Sequence, residues 1–193
     1  MSEKFWSDSS LEPRRNFKFL LTIGTEANQI PTWVVKNVTL PKITVEEGTH
    51  KFLNHTFYFP GTVSYNTVSF TIIDAVDRNV SKKMLSAFVA GGYRIPGKPP
   101  AAEGSLITKS DSVTALGTVS ISHLGDGKTG SAKDISFDLT NAWIKDLEFP
   151  QGLSYDSQDP TEIKVELRYD FFKALKGATP VRGFGETRPS EAG

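Results

Sequence analysis

The sequence predicts a mainly β protein, a two-sheet sandwich or barrel with one flanking α-helix. Long runs of β-branched and aromatic residues alternate with polar ones at period two. A single segment, ending at Ala90, carries apolar residues at helical spacing. Proline, glycine and serine break the chain between these runs, the spacing of a sheet protein and not of a bundle.

The elements follow in order. Residues 1–15 are polar and read as an N-terminal arm that adapts to a partner. Phe17, Phe19, Leu21 and Ile23 alternate with Lys18, Leu20 and Thr22 as a half-buried first strand. Thr32–Leu40 is a second strand stopped by Pro41. Residues 50–59 and 63–73 are two long strands, with Pro60-Gly61 between them as the expected turn. A helix capped by Asp77 or Ser81 carries Val80, Met84, Leu85, Phe88 and Val89 on one face and stops at Gly91-Gly92. Residues 93–117 lack periodicity and read as a long loop. Strands resume at Thr118–Ser122, Asp134–Leu139 and Ala142–Phe149. The clearest alternation runs through 162–172, with Ile163, Val165, Leu167, Tyr169 and Phe171 inward. The β-domain thus spans 16–172, and 173–193 is a polar C-terminal tail.

Composition removes several function classes. The 193 residues are 38% apolar and 23% charged, suited to one soluble domain. Lys plus Arg and Asp plus Glu each total 22, so the net charge is zero. A dedicated nucleic-acid binder needs a basic surplus to displace phosphate counterions. There is no cysteine, hence no disulfide, thiolate metal site or cysteine nucleophile. The N-terminus has no apolar leader core, and no apolar run reaches a membrane span, so synthesis in a cytoplasm without membrane passage is expected.

The motifs that imitate active sites have plainer readings. Gly125–Gly130 matches G-x-G-x-x-G, and Gly127-Lys128-Thr129 imitates the end of a phosphate loop. A strand follows, however, where a phosphate site needs a helix N-terminus, and Ser122 stands where the first glycine belongs. This is a hairpin loop. His50 and His55, five apart on one expected strand, fall on opposite faces and cannot share a metal; His123 stands apart. No serine-nucleophile elbow is present. Neither catalytic residue, cofactor nor metal is expected. Trp33, Trp143, Phe149 and Tyr155 read as core or subunit-contact residues.

The order of signals resembles one family. Asn16-Phe17-x-Phe19 opens the first strand, and Val35-x-x-Val38-Thr39-Leu40-Pro41 ends the second. Asn54-x-x-Phe57-Tyr58-Phe59-Pro60-Gly61-x-x-x-Tyr65-x-x-Val68-Ser69-Phe70-Thr71-Ile72 precedes Asp74 and the helix. Ile135-x-Phe137, Asn141-Ala142-Trp143-Ile144, Leu153-x-Tyr155-Asp156-Ser157 and the alternating 162–170 close the domain. Over about residues 16–172 this pattern resembles the tail tube proteins of contractile-tailed bacteriophages, related to injection-system tubes and to the Hcp ring protein of type VI secretion. The resemblance implies that six copies form a ring whose inner strands join into one β-barrel. Rings then stack into the tube of a virion tail, inside a sheath and upon a baseplate tube initiator, with DNA passing transiently through.

Within that reading the lumen candidates are Thr67, Ser69 and Thr71 on the hairpin and Lys164, Glu166, Arg168 and Asp170 on the last strand, the hairpin preferred. A solvated outer face is the plain alternative for the charged strand. Candidate subunit contacts are Phe57, Phe59, Tyr65 and Trp143. The competing functions are a tube initiator or injection-system tube, and, in another class, a monomeric β-sandwich binding module. An enzyme with an unseen site is a third.

Overall fold

Period-two alternation places one side of each principal strand in a shared apolar core. The computed structural model describes residues 14–24, 30–75, 80–94, 106–125, 133–150, 152–177, 179–181 and 184. The first sheet orders β1 (Phe19–Ile23), β6 (Val119–Leu124), β7 (Lys133–Thr140), β10 (Phe171–Lys176) and the short β11 (Thr179–Pro180). The second orders β2 (Val35–Val38), β5 (Val68–Ile73), β9 (Glu162–Arg168) and β8 (Trp143–Glu148). All pairings are antiparallel. Leu21, Ile23, Val119 and Ile121 of the first sheet meet Val68, Phe70, Ile72, Ile163, Val165 and Leu167 of the second in one buried cluster. The sandwich read from the sequence is the fold observed.

Four elements differ from expectation. The chain does not turn at Pro60-Gly61. Among the described residues β3 (Ile43–Phe52) and β4 (His55–Tyr65) pair only with each other as a long ribbon, and the turn is Leu53-Asn54. Pro60 and Gly61 lie inside β4, where the register shifts between Val45 and Glu47. A bulge in a two-stranded ribbon is a place where a strand tolerates proline, because the ladder is already interrupted there. The ribbon is anchored at its base. Tyr65 packs edge-on to Tyr169 and Phe172, with ring centroids 6.1 and 5.7 Å apart. Thr44 donates to the Asn66 side chain at 2.8 Å.

The 162–172 run is two strands. β9 ends at Arg168; Tyr169 and Asp170 carry the chain to the other sheet, where β10 begins. The alternation slips at this crossing, so Phe171 is 41% exposed while Phe172 is 8% exposed. β10 extends to Lys176, past the start of the segment read as a tail. The first strand is shorter than expected, and Phe17 stands outside it, exposed.

The 93–117 segment contains a second helix, α2 (Lys109–Leu116). Thr108 caps it by accepting from the Asp111 amide at 3.1 Å and donating to the Asp111 carboxylate at 2.7 Å. The expected helix, α1 (Val80–Ala90), buries Val80 and Met84 but leaves Leu85 and Val89 exposed. Asp74 caps it from outside, taking the Ser81 amide and hydroxyl; Asp77 lies outside the described residues. Its end is a Schellman motif. Gly92, at φ +109°, donates to Val89, Tyr93 donates to Phe88, and the two aromatic rings meet at 5.3 Å.

Two stability outcomes follow, both read by urea unfolding. Phe70→Ala should lose about 3–5 kcal/mol, because a fully buried ring leaves a cavity between the sheets. Gly92→Ala should cost more than about 1 kcal/mol. The φ there is unfavourable, and the added carbon would sit 2.7 Å from the Leu106 carbonyl oxygen.

Candidate functional site

The second sheet has two chemically opposite faces, set by register. β5 and β9 pair Val68 with Leu167, Phe70 with Val165 and Ile72 with Ile163, all buried. The intervening pairs, Ser69 with Glu166 and Thr71 with Lys164, necessarily share the other face. β8 adds Asp146 opposite Glu166 and Glu148 opposite Lys164, and β2 adds Asn37 opposite Thr71. Ser69 and Thr71, which lie on β5 and not on a hairpin, therefore share one surface with Lys164 and Glu166 of β9.

That surface is neutralised pair by pair. Lys145 reaches Glu166 at 2.8 Å, Lys164 reaches Glu148 at 3.5 Å, and Lys36 reaches Glu162 at 2.5 Å. Arg168 and Asp146 complete an equal number of cations and carboxylates. Hydrogen bonds from Lys145 and Thr67 hold the Glu166 carboxyl below its ordinary range. Exposed pairs of this kind add little stability. What they do is weaken the field: a polyanion meeting the face finds Lys36, Lys145 and Lys164 each already matched by a carboxylate.

Asp170 does not join this face. It sits at the crossing between sheets, takes both carboxylate contacts from Lys109 at 2.7 Å, and accepts from the Asn141 side chain at 2.7 Å. Asn141 has positive φ, 55°, so this bond fixes a tight β7–β8 turn. Asp170 thus ties α2 to the corner of the sandwich.

The candidate contact residues divide likewise. Phe57 and Phe59 are exposed on the ribbon, where direct pairs place them with His50 and Gly48 on one face. The Phe59 ring lies over Gly48, whose Cβ, if present, would come within 2.6 Å of it. Tyr65 is committed to the ribbon's base. Trp143 is half-buried in a groove beside α2 with Ile107 and Ser112. Trp33 is 68% exposed, and Tyr155 and Phe149 are also exposed, so none of these three is core.

The histidine reading changes with the turn. His50 and His55 lie on opposite strands of the ribbon, with His50 opposite Phe57 and His55 opposite Phe52. They therefore share a face, contrary to the separation expected from one continuous strand. Among the described residues, no group of three or more His, Asp or Glu side chains is placed to hold a metal ion. No helix among them is long and apolar enough to cross a membrane. The glycine loop from Asp126 to Gly130 lies outside the described residues.

No family profile and no curated protein sequence matches the chain. Solved structures do. A chain of the anti-feeding prophage baseplate aligns at 12% identity and TM-score 0.59, covering 87% of this chain and 99% of the other. A chain of the anti-feeding prophage cap, the tube terminating cap, aligns at 15% identity and TM-score 0.56, covering 91% and 99%. A chain of the sheath-tube complex of PVC, an extracellular contractile injection system, aligns at 16% and 0.53, covering 85% and 92%. The fold is thus one found in contractile injection assemblies, in agreement with the resemblance in the sequence.

The corner made by Asp170 yields a pH outcome. Hydrogen bonds from Lys109 and Asn141 hold its carboxyl below the ordinary 3.8. A depressed carboxylate contributes stability above its unfolded value and loses it as pH falls through the folded one. Asp170→Asn should therefore flatten the decline of thermal midpoint between about pH 5 and pH 2, measured by circular dichroism. Asp138→Asn serves as the control.

Proposed function

We propose that this chain is the structural subunit of a tail tube, working by assembly and not by catalysis. One observation carries the reading: the second sheet has an apolar face sealed in the core, a charge-matched polar face, and, among the described residues, two edge strands, β2 and β8, with no β partner on their outer sides. Free edges invite pairing with another copy, and cyclic repetition satisfies every edge. Six copies would join these sheets into a ring-wide barrel, with Ser69, Thr71, Lys164, Glu166 and Arg168 on the inner wall beside Thr67. Six-fold symmetry is the symmetry applied to the anti-feeding prophage baseplate, which supports this number.

Rings would stack inside a sheath and upon a tube initiator, forming a virion tail assembled in a host cytoplasm. The matched inner charges suit a conduit that DNA crosses without being held, since each uncompensated cation would add phosphate affinity. The projecting ribbon would reach the neighbouring subunit with Phe57 and Phe59. A second reading, an injection-system tube or tube initiator, is favoured by the solved chains of similar fold, which come from injection assemblies and a baseplate. Both readings share the ring.

Electron microscopy of the concentrated protein in negative stain is the direct test. Rings or tubes with a central hole are expected; a strictly monomeric protein, even with tube ends supplied as templates, overturns the reading in favour of a binding module. Glu166→Lys should still form rings, because that face is wet. It should also raise DNA retention by tubes at low salt, measured by filter binding, with the gain vanishing as salt rises.

A further inference from the structure

Helix α1 carries more apolar surface than the core uses. Val80 and Met84 are buried and Phe88 packs against the core, but Leu85 and Val89, one turn apart, are each 47% exposed. Lys82 and Ser86 extend the same outer stripe, since residues three and four apart are neighbours on a helix. A shallow groove of about 580 Å³ runs along it, lined by Lys82, Leu85, Ser86, Val89 and Arg94.

The charges of this segment are all of one sign. From Val80 to Arg94 there are three cations, Lys82, Lys83 and Arg94, and no carboxylate, on a chain whose net charge is zero. The two lysines stand in the first turn of α1, which has no acidic residue. The helix dipole favours anions there, so the lysines oppose it and call for another reason. At the far end Arg94 is fixed in place: its Nη1 donates to the Val89 and Tyr93 carbonyls at 3.0 Å each. A guanidinium has five donors, so those bonds leave its fork able to take a carboxylate.

We propose that this stripe docks an acidic amphipathic segment of another protein, with apolar side chains over Leu85 and Val89 and carboxylates towards Lys82 and Arg94. α1 has 11 residues, so the matching segment is about three helical turns, roughly 16 Å. The apolar floor favours a protein over a nucleic acid, and a chain of zero net charge lacks the surplus that holds phosphates. A membrane surface would need the broad apolar face that α1 has already turned to the core. The inference goes beyond the tube reading. Ring closure would use the edges of β2 and β8, and the stripe contains no residue of either.

The test is fluorescence polarisation of the full chain with labelled helical peptides that carry two leucines, three or four residues apart, between glutamates. A matched set replaces each glutamate by lysine. The acidic peptides should bind saturably, and more weakly as salt rises. Lys82→Glu and Leu85→Asp should each weaken that binding at least about tenfold, while Leu153→Asp, on another exposed loop, should not. All three positions are exposed, so the thermal midpoints should match wild type. The proposal is overturned if the lysine peptides bind as well as the acidic ones, if the acidic peptides fail to bind at about 1 mM, or if both stripe variants bind like wild type. It is equally overturned if Leu85 is needed instead for capture by phosphatidylglycerol vesicles, or for self-association seen by sedimentation. None of these results bears on whether the chain forms rings.

Discussion

The register between β5 and β9 is the constraint on which the rest of the structure depends. Once Phe70 faces Val165, every second pair along those strands is driven into the core, and every other pair is driven out of it. A slip of one residue would bury Lys164 and Glu166 and expose Val165 and Leu167, an exchange no side-chain adjustment could offset. The buried row accordingly holds the exposed row in place. The helices, the edge strands and the crossing at Asp170 are arranged around that central pair.

Charge on the outward face is handled locally. Lys145 with Glu166 and Lys164 with Glu148 bridge the adjacent strands β8 and β9, while Lys36 with Glu162 reaches across β5 from β2 to β9, so all three follow from the register. Each contributes little to stability by itself. Together they match three of the face's cations with carboxylates, in keeping with the overall net charge of zero. Asp170 shows the same residue chemistry used differently: its partners, Lys109 and Asn141, come from α2 and a turn, and the carboxylate serves as a corner brace.

The apolar surface is distributed unevenly, and the unevenness is informative. The sandwich encloses its large side chains, while the ribbon displays Phe52, Leu53, Phe57, Tyr58 and Phe59. Its base is fastened by Tyr65, Tyr169 and Phe172, so the display is held out from a fixed root. Isolated two-stranded ribbons are marginal in water. A ribbon of this length gains when a second surface covers it.

Much of the fold was legible because alternation is a local signal. β5, β9 and α1 could be read from Val68–Ile73, Glu162–Arg168 and Val80–Ala90 alone, since each buries one face at its own period. The two lumen candidate sets were also legible as polar rows. α2 was not, because KSDSVTAL has no strong apolar stripe; its usable signals were Thr108 with Asp111 and the terminal Gly117. Only tertiary structure decided the turn at Leu53-Asn54, for Pro60-Gly61 is locally the better turn and loses to a pairing that stretches from Ile43 to Tyr65. The same holds for Asp170. Its neighbours continue the alternation without a break, and what removes it from the polar face is the passage of the chain from one sheet to the other, a choice made by Phe172 finding the shared core.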